Sequence, residues 1–401
     1  MNLFNFVDRF LLKAFADNII TDLGLNYFQF SLLTGLVFSL FYAMAGIFMG
    51  VLADHFSRMR IIAVGATVWS ALTALTGLTM NFLQVATARA FIGIGESALM
   101  PSALSVLKDV FPPKHLSKVT AIYYLGVPAG TGFSLVVSGV LGPWLGWRGT
   151  FLLLGALGAA IALPVFLLRD PPRKGIGKLD PAIELKLGKV FRQLWSTIRD
   201  VPALRYLIVS SILLQFSLGG DAAEIVWLIR ERAFAGADAQ LIFGGLYLGF
   251  GTAALLLGGW VADWFAQRWR AGRIIALLFS VAFIIPMIAL RWIEPGTASF
   301  WIAAALSSMF ASLTIGPYYA SIQDLSPSHM RSTVLAAVLL ITYSLGVSLG
   351  SALFGYLSDL FVALGLQQPL TISLTVMNSI GLLSVPFILL AIRHFPRQDV
   401  G

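Results

Sequence analysis

Arg89-Ala-Phe-Ile-Gly-Ile-Gly-Glu96 (R-A-F-I-G-I-G-E) lies inside a long apolar run. At roughly 100° per residue, positions seven apart return to the same helix face, so Arg89 and Glu96 share one stripe two turns apart. Gly93, one turn from Glu96, removes bulk from that stripe. A charge at bilayer depth costs about 2.5–3.5 kcal/mol on insertion scales, so two on one stripe are expected to face protein or water rather than lipid. The stretch marks an internal functional site; the alternative is a salt bridge that only locks two helices together.

The surrounding composition sets the class. The chain has 401 residues, of which 58% are hydrophobic and 11% charged, with 38 Gly and no Cys. Soluble domains carry about 25% charged residues, and a soluble globule of this size could not cover so much apolar surface. A polytopic, all-α membrane protein is predicted. Without cysteine there is neither a disulfide framework nor a thiolate metal site. His55, His115, His329 and His394 each stand beside a basic loop, which leaves no intramembrane metal cluster and no Ser-His pair. No cofactor is expected beyond protons as a coupling ion. The net charge of +8 comes from loops and reads as membrane orientation rather than nucleic-acid binding. No cleavable signal peptide is visible, because Met1 stands almost at the start of the first apolar run without a basic segment before it. A short cytoplasmic tail is expected to be missing from the chain as given.

A spanning helix needs about 20 mostly apolar residues. Twelve such runs are predicted, at about 1–20, 29–53, 61–80, 83–107, 117–141, 148–168, 203–229, 240–264, 273–292, 298–322, 332–358 and 370–393. The seventh is interrupted by Gly219, Gly220, Asp221 and Glu224. With both termini cytoplasmic, inner loops and ends hold 20 Lys and Arg, nine of them between Arg169 and Arg205, against four outside: Arg148, Arg230, Arg232 and Arg291. That asymmetry fixes the orientation. The only long loop divides the chain into a six-helix bundle at 1–168, a cytoplasmic linker at 169–202 and a second six-helix bundle at 203–401. Within the linker, Ile183, Leu187, Val190, Phe191, Leu194, Trp195 and Ile198 recur at helical spacing opposite Lys186, Lys189 and Arg192. An amphipathic helix on the inner membrane face or under the bundle is predicted, serving as a structural linker.

The halves echo each other. Gly50-Val-Leu-Ala-Asp54, followed by Arg58 and Arg60, joins spans two and three; Gly259-Trp-Val-Ala-Asp263, followed by Arg268, Arg270 and Arg273, joins spans eight and nine. Gly126-Val-Pro-Ala-Gly130 in span five matches Gly346-Val-Ser-Leu-Gly350 in span eleven, faces small enough for helix backbones to approach closely. Repeated six-span halves imply two pseudo-symmetric bundles around a central path.

These motifs resemble a known family. The duplicated G-x-x-x-D with basic residues after it is similar to the loop signature of the major facilitator superfamily, and R-x-x-x-G-x-G from Arg89 to Gly95 to its fourth-span motif. Asn5-Phe-Val-Asp8-Arg9-Phe, Gly93-Ile-Gly95-Glu96-Ser97-Ala98 with Pro101-Ser102, and Gly146-Trp147-Arg148 with Phe151 resemble its spinster branch. Gln267 departs from the pattern set by Arg58, and Asp221 and Glu224 match none. The resemblance implies a secondary transporter working by alternating access, with sphingolipid- or lysophospholipid-like substrates and proton coupling among its relatives.

The charged residues can then be assigned expectations. Arg9, Lys13 and Asp17 follow one stripe of span one, with Lys13 and Asp17 expected to pair one turn apart. Asp8 projects away from that stripe and needs a partner from another helix; Arg89 is the candidate, because spans one and four line the cavity in the resembled fold. A cluster of Asp8, Arg9, Arg89 and Glu96 results. Burial favours a neutral acid and an adjacent arginine an ionised one, so contacts made and broken as the halves rock would move proton affinity across physiological pH. Glu96 is read as the more loosely held acid and first proton carrier, with Asp8 second. Arg9 and Arg89 also suit an anionic headgroup through bidentate geometry. Span ten carries no matching charges and offers Ser307, Ser308, Thr314, Tyr318 and Tyr319, so coupling is expected in the first half and softer substrate contacts in the second; Glu224, Tyr318, Tyr319 and Tyr343 are candidates to line the substrate cavity. Trp227, Tyr247, Phe250, Met309 and Phe310 are candidates for an apolar path. Gly50, Asp54, Arg58 and Arg60, repeated by Asp263, read as a conformational latch on the inner face.

The leading expectation is a proton-coupled transporter of an amphiphilic, lysolipid-like anion, monomeric, in the bacterial inner membrane, with the bilayer and its small-molecule substrate as partners and no nucleic acid. The alternatives are a facilitator or antiporter of small organic anions or drugs and, from another class, a non-transporting receptor. An enzyme is disfavoured, since no nucleophile, base and orienting residue converge.

Overall fold

The computed structural model describes residues 1–173, 187–327 and 330–396; within its helices the side chains of 47, 51, 54, 113, 114, 116–118, 121, 187–191 and 332 lie outside the description. The described residues form helices joined by turns and short loops, with no strand among them. Among the described residues ten helices are long and apolar enough to cross a membrane. One of these, 122–167, turns back at Gly146, whose φ of 63° lies where a Cβ is strained, and so supplies two spans. Asn2–Ala14 and Ala16–Leu23, meeting at Phe15, add the span whose charges keep it from being apolar enough to count. Twelve spans result among the described residues, as predicted.

The halves are built alike. A Cβ on Gly130 of span five would collide with Phe6 of span one, and one on Gly350 of span eleven would lie 2.6 Å from the Phe216 carbonyl of span seven. The matched glycines therefore let the fifth helix of each half press on the first. Span seven is interrupted as expected: Pro202–Ser217 gives way to a tight turn at Leu218–Ala223 before Glu224–Arg232 resumes. Spans eight and eleven each widen for one stretch, at Tyr247–Gly251 and Tyr343–Ser348. Such widened turns collect at functional positions.

The halves touch unevenly. One apolar cluster draws on both, with Leu11, Phe15 and Ile19 of span one packed among residues such as Val226, Trp227 and Phe243 of the second half. It sits toward the face opposite the basic loops. Of the predicted linker helix, Leu187–Asp200 is described; Ile183 and Lys186 lie outside the described residues. Leu194 and Ile198 pack against the second-half core while Trp195 is exposed, so this helix lies under the bundle.

Candidate functional site: two buried ion clusters and the cavity between them

The first cluster is the one the sequence points to, arranged differently. Arg9 donates from Nε to Glu96 Oε2 at 2.8 Å, and its Nη2 lies 2.7 Å from the same oxygen. The bond ties span one to span four, and Glu96 is fully buried. Gly93 makes room for it: a Cβ there would lie 2.9 Å from the Phe38 carbonyl, so spans two and four nearly touch. Phe38 stands between the two arginines, with Arg9 Cζ 4.9 Å and Arg89 Cζ 4.7 Å from its ring, and Tyr42 and Phe6 complete an aromatic collar around Arg9. Asp8 is 2% exposed and lies close to Glu96, Arg89 and Trp69, yet neither of its oxygens has a hydrogen-bond partner. Glu96 Oε1, Arg89 Nε and Asn5 Nδ2 are likewise buried without partners. A pocket of about 20 Å³, bordered by Asn2, Asn5, Arg9, Tyr42 and Glu96, adjoins them. That is room for one water-sized group.

Two expectations need correcting here. Glu96 is the held acid and Asp8 the loose one, and Arg89 faces Asp8 without forming a salt bridge to it. Nor do Lys13 and Asp17 pair. Phe15 breaks the helix between them, and Arg230 of span seven takes Asp17 at 2.6 Å.

Lys13 lines a larger cavity of about 240 Å³ between the halves. Phe10 and Lys13 of span one and Pro128 and Thr131 of span five form one wall; Asp221, Glu224, Tyr247, Phe310, Tyr318, Tyr319 and Tyr343 stand on the other. Glu224, Tyr318, Tyr319 and Tyr343, assigned to the cavity from sequence, all border it. Of the apolar candidates Tyr247 and Phe310 do so too, whereas Trp227 is buried against Thr371, Phe250 is exposed, and Met309 does not reach the cavity.

The second cluster lies behind that wall. Arg291, 1% exposed, meets Glu224 Oε1 at 3.3 Å and lies 4.6 Å from the centre of the Trp227 ring. Tyr247 donates its hydroxyl to Glu224 Oε2 at 2.9 Å. Asn378 accepts from Arg291 Nε at 3.5 Å and donates to the Ser217 carbonyl at 3.0 Å. Arg291 therefore does not belong with the outer-loop cations. The second half carries charge chemistry of its own, against the expectation of softer contacts alone.

Polar links between the halves gather at the face opposite the basic loops. Arg230 also reaches the Tyr27 hydroxyl at 2.9 Å and Thr21 at 3.1 Å, Asp359 accepts from the Tyr27 and Phe28 amides at 2.9 Å each, and Gln240 donates to the Ala14 carbonyl at 2.7 Å. The cavity lies on the basic-face side of this seal, where Tyr124 and Tyr319 meet at 6.2 Å between ring centres.

At the basic face Arg58 is buried, bonded to Asp109, to Asp170 at 2.9 Å and to the Pro171 carbonyl at 2.8 Å. Arg273 repeats it with Asp324 at 2.5 Å and Asp263 at 3.3 Å, but half-exposed. The contacts at this face thus centre on Arg58 and Asp109; Arg60 is exposed, a Cβ on Gly50 would meet nothing, and the Asp54 side chain lies outside the described residues.

Known proteins place this arrangement. An MFS-type efflux pump of Mycolicibacterium smegmatis is 26% identical over 88% of this chain and 81% of its own. Protein spinster of Drosophila melanogaster is 29% identical, over 43% of this chain and 29% of its own. The solved structure of a bacterial homologue of the human lysosomal transporter Spinster, inward-facing and unoccupied, matches with a TM-score of 0.83 at 25% identity, covering 98% of this chain and 95% of that one. The family model of the Major Facilitator Superfamily matches residues 1–351, and the chain belongs to that superfamily.

Proposed function

We propose that this membrane transporter moves an amphiphilic, lysolipid- or sphingolipid-like anion by alternating access, coupled to protons, in a bacterial inner membrane with both termini cytoplasmic. The observation that carries the reading is the cavity of about 240 Å³ between the halves, charged at the sealed end by Lys13, Asp221 and Glu224 and aromatic toward the basic face. A charged headgroup suits the first end and an apolar chain the second. A probable sphingolipid transporter of the spinster group in Arabidopsis thaliana, to which the chain is similar, favours the same class. With the family's transporters around it, the chain is not read as an enzyme.

The first-half cluster supplies the coupling. Proton uptake at Asp8 or Glu96 neutralises a carboxylate beside Arg9 and Arg89 and weakens the Arg9–Glu96 bond between spans one and four. A buried arginine left without its acid seeks another anion, and a headgroup in the cavity provides one. The Arg58–Asp109–Asp170 contacts hold the basic end of the first half together while the halves rock.

A second reading, an antiporter of small organic ions or drugs, is favoured by the two carboxylates on the cavity wall and by the efflux-pump relative. Uptake of labelled lysophospholipid into proteoliposomes, with and without a proton gradient, separates these. Gradient-driven uptake that Glu96→Gln abolishes supports the proposal; gradient-independent uptake unchanged by that substitution removes the proton role. A native chain that moves no amphiphile but exchanges a cationic drug establishes the antiporter, and one that moves neither favours another substrate or the receptor reading.

A further inference from the structure

Lys13 and Asp221 occupy matching helices of the two halves, spans one and seven, and border the same cavity from opposite sides. Among the described residues neither forms an ion pair within 4.0 Å, although each is the other's principal opposite charge. Apart from Asp8, which stands beside Arg89 in the first-half cluster without a salt bridge, the other nearby acids are occupied. Glu96 is taken by Arg9, Asp17 by Arg230, and Glu224 by Arg291 and Tyr247. Arg9 and Arg89 stand behind Lys13, and Glu224 beside Asp221, so each wall has a surplus of one sign facing the gap.

We infer that Lys13 and Asp221 form a charge pair across the cavity that an anionic headgroup breaks on entering, with Lys13 as the headgroup's contact and Asp221 as its competitor. This rests on the transport of anions proposed above. Lys13 lies on a flexible four-carbon stem and presents three donors, so it can turn from Asp221 to a carboxylate or phosphate without helix movement. With the cavity empty, attraction across the gap draws the halves together; with an anion bound, Lys13 is satisfied from its own side and the attraction falls.

Two measurements on the full chain test the pair. Binding of radiolabelled lysophosphatidylglycerol to the purified transporter is the first. Lys13→Ala is expected to weaken it about tenfold, and Asp221→Asn to tighten it by a factor of about three to ten. Added to Lys13→Ala, the Asp221→Asn change should give no gain. Weaker binding by Asp221→Asn alone, or an equal gain when Lys13→Ala is also present, overturns the inference. The second measurement uses no ligand. The absence of native cysteine allows spin labels at Val110→Cys and Gln323→Cys, exposed ends of spans four and ten. Each single neutral variant should widen the distance distribution between them, and the charge swap Lys13→Asp with Asp221→Lys should restore it. If the swap does not fold, the double neutral variant serves, and it should match either single one. Unchanged distances in both singles overturn the pair. A native chain that binds no lysolipid yet shows the distance effect keeps the pair and removes the lysolipid reading.

Discussion

In the first half of the molecule Arg9 and Glu96 are paired, but Asp8, one oxygen of Glu96, Arg89 Nε and Asn5 Nδ2 are buried with nothing to bond. In the second half Arg291 and Glu224 are equally buried, yet Tyr247, Asn378 and the Ser217 carbonyl satisfy the rest of the network. Leaving one buried polar group unmade costs about 1–3 kcal/mol, and more for a charged one, so the first arrangement is the costlier of the two. We read the saturated cluster as a brace and the unsaturated one as the moving part of the proposed transport cycle. The twofold repeat has thus been kept in backbone and divided in chemistry.

Substitutions can break this contrast. The largest effect is expected from Arg291→Ala, which strands Glu224 in the core: about 3–5 kcal/mol of stability should be lost, seen as poor folding yield and a lowered melting temperature. A normally folded Arg291→Ala protein would refute the brace. Asp8→Asn should abolish gradient-driven uptake while leaving the melting temperature unchanged or higher, because it removes a buried charge that has no bond to lose. Equal loss of folding and transport would make the first cluster structural after all. Arg230→Ala opens the seal opposite the basic loops. Its exposed pairs contribute about 0.2–1 kcal/mol, so stability should barely move while spin-label distances across that face lengthen. Arg60→Ala, exposed beside the Arg58 latch, should change stability by less than about 0.5 kcal/mol and leave uptake intact.

The sequence carried the twelve spans, because apolar length and Lys/Arg placement are local signals. It carried the Arg89–Glu96 stripe for the same reason: both residues lie on one unbroken helix, Phe82–Ser97. Where a reading needed partners from distant segments, it went astray. Lys13 and Asp17 looked like neighbours only while span one was taken as one continuous helix, and the break at Phe15 turns them apart. Arg230, from span seven, is the nearer cation in space. Arg291 ends an apolar run beside Trp292, the usual sign of an interface, and nothing local tells that Glu224 and Asn378 enclose it. Phe38, wedged between two arginines, is one phenylalanine among 30. The unmatched Asp221 and Glu224 were the available hint that the second half held charges of its own.

Proton movement accompanying lysolipid uptake, followed with a pH-sensitive dye inside proteoliposomes, tests the division of labour most directly. Glu96→Gln and Asp8→Asn should each uncouple proton movement from uptake, while Glu224→Gln, in whatever fraction folds, should retain the native ratio of protons to substrate. Native coupling in both first-half variants, or its loss only in Glu224→Gln, would contradict the account.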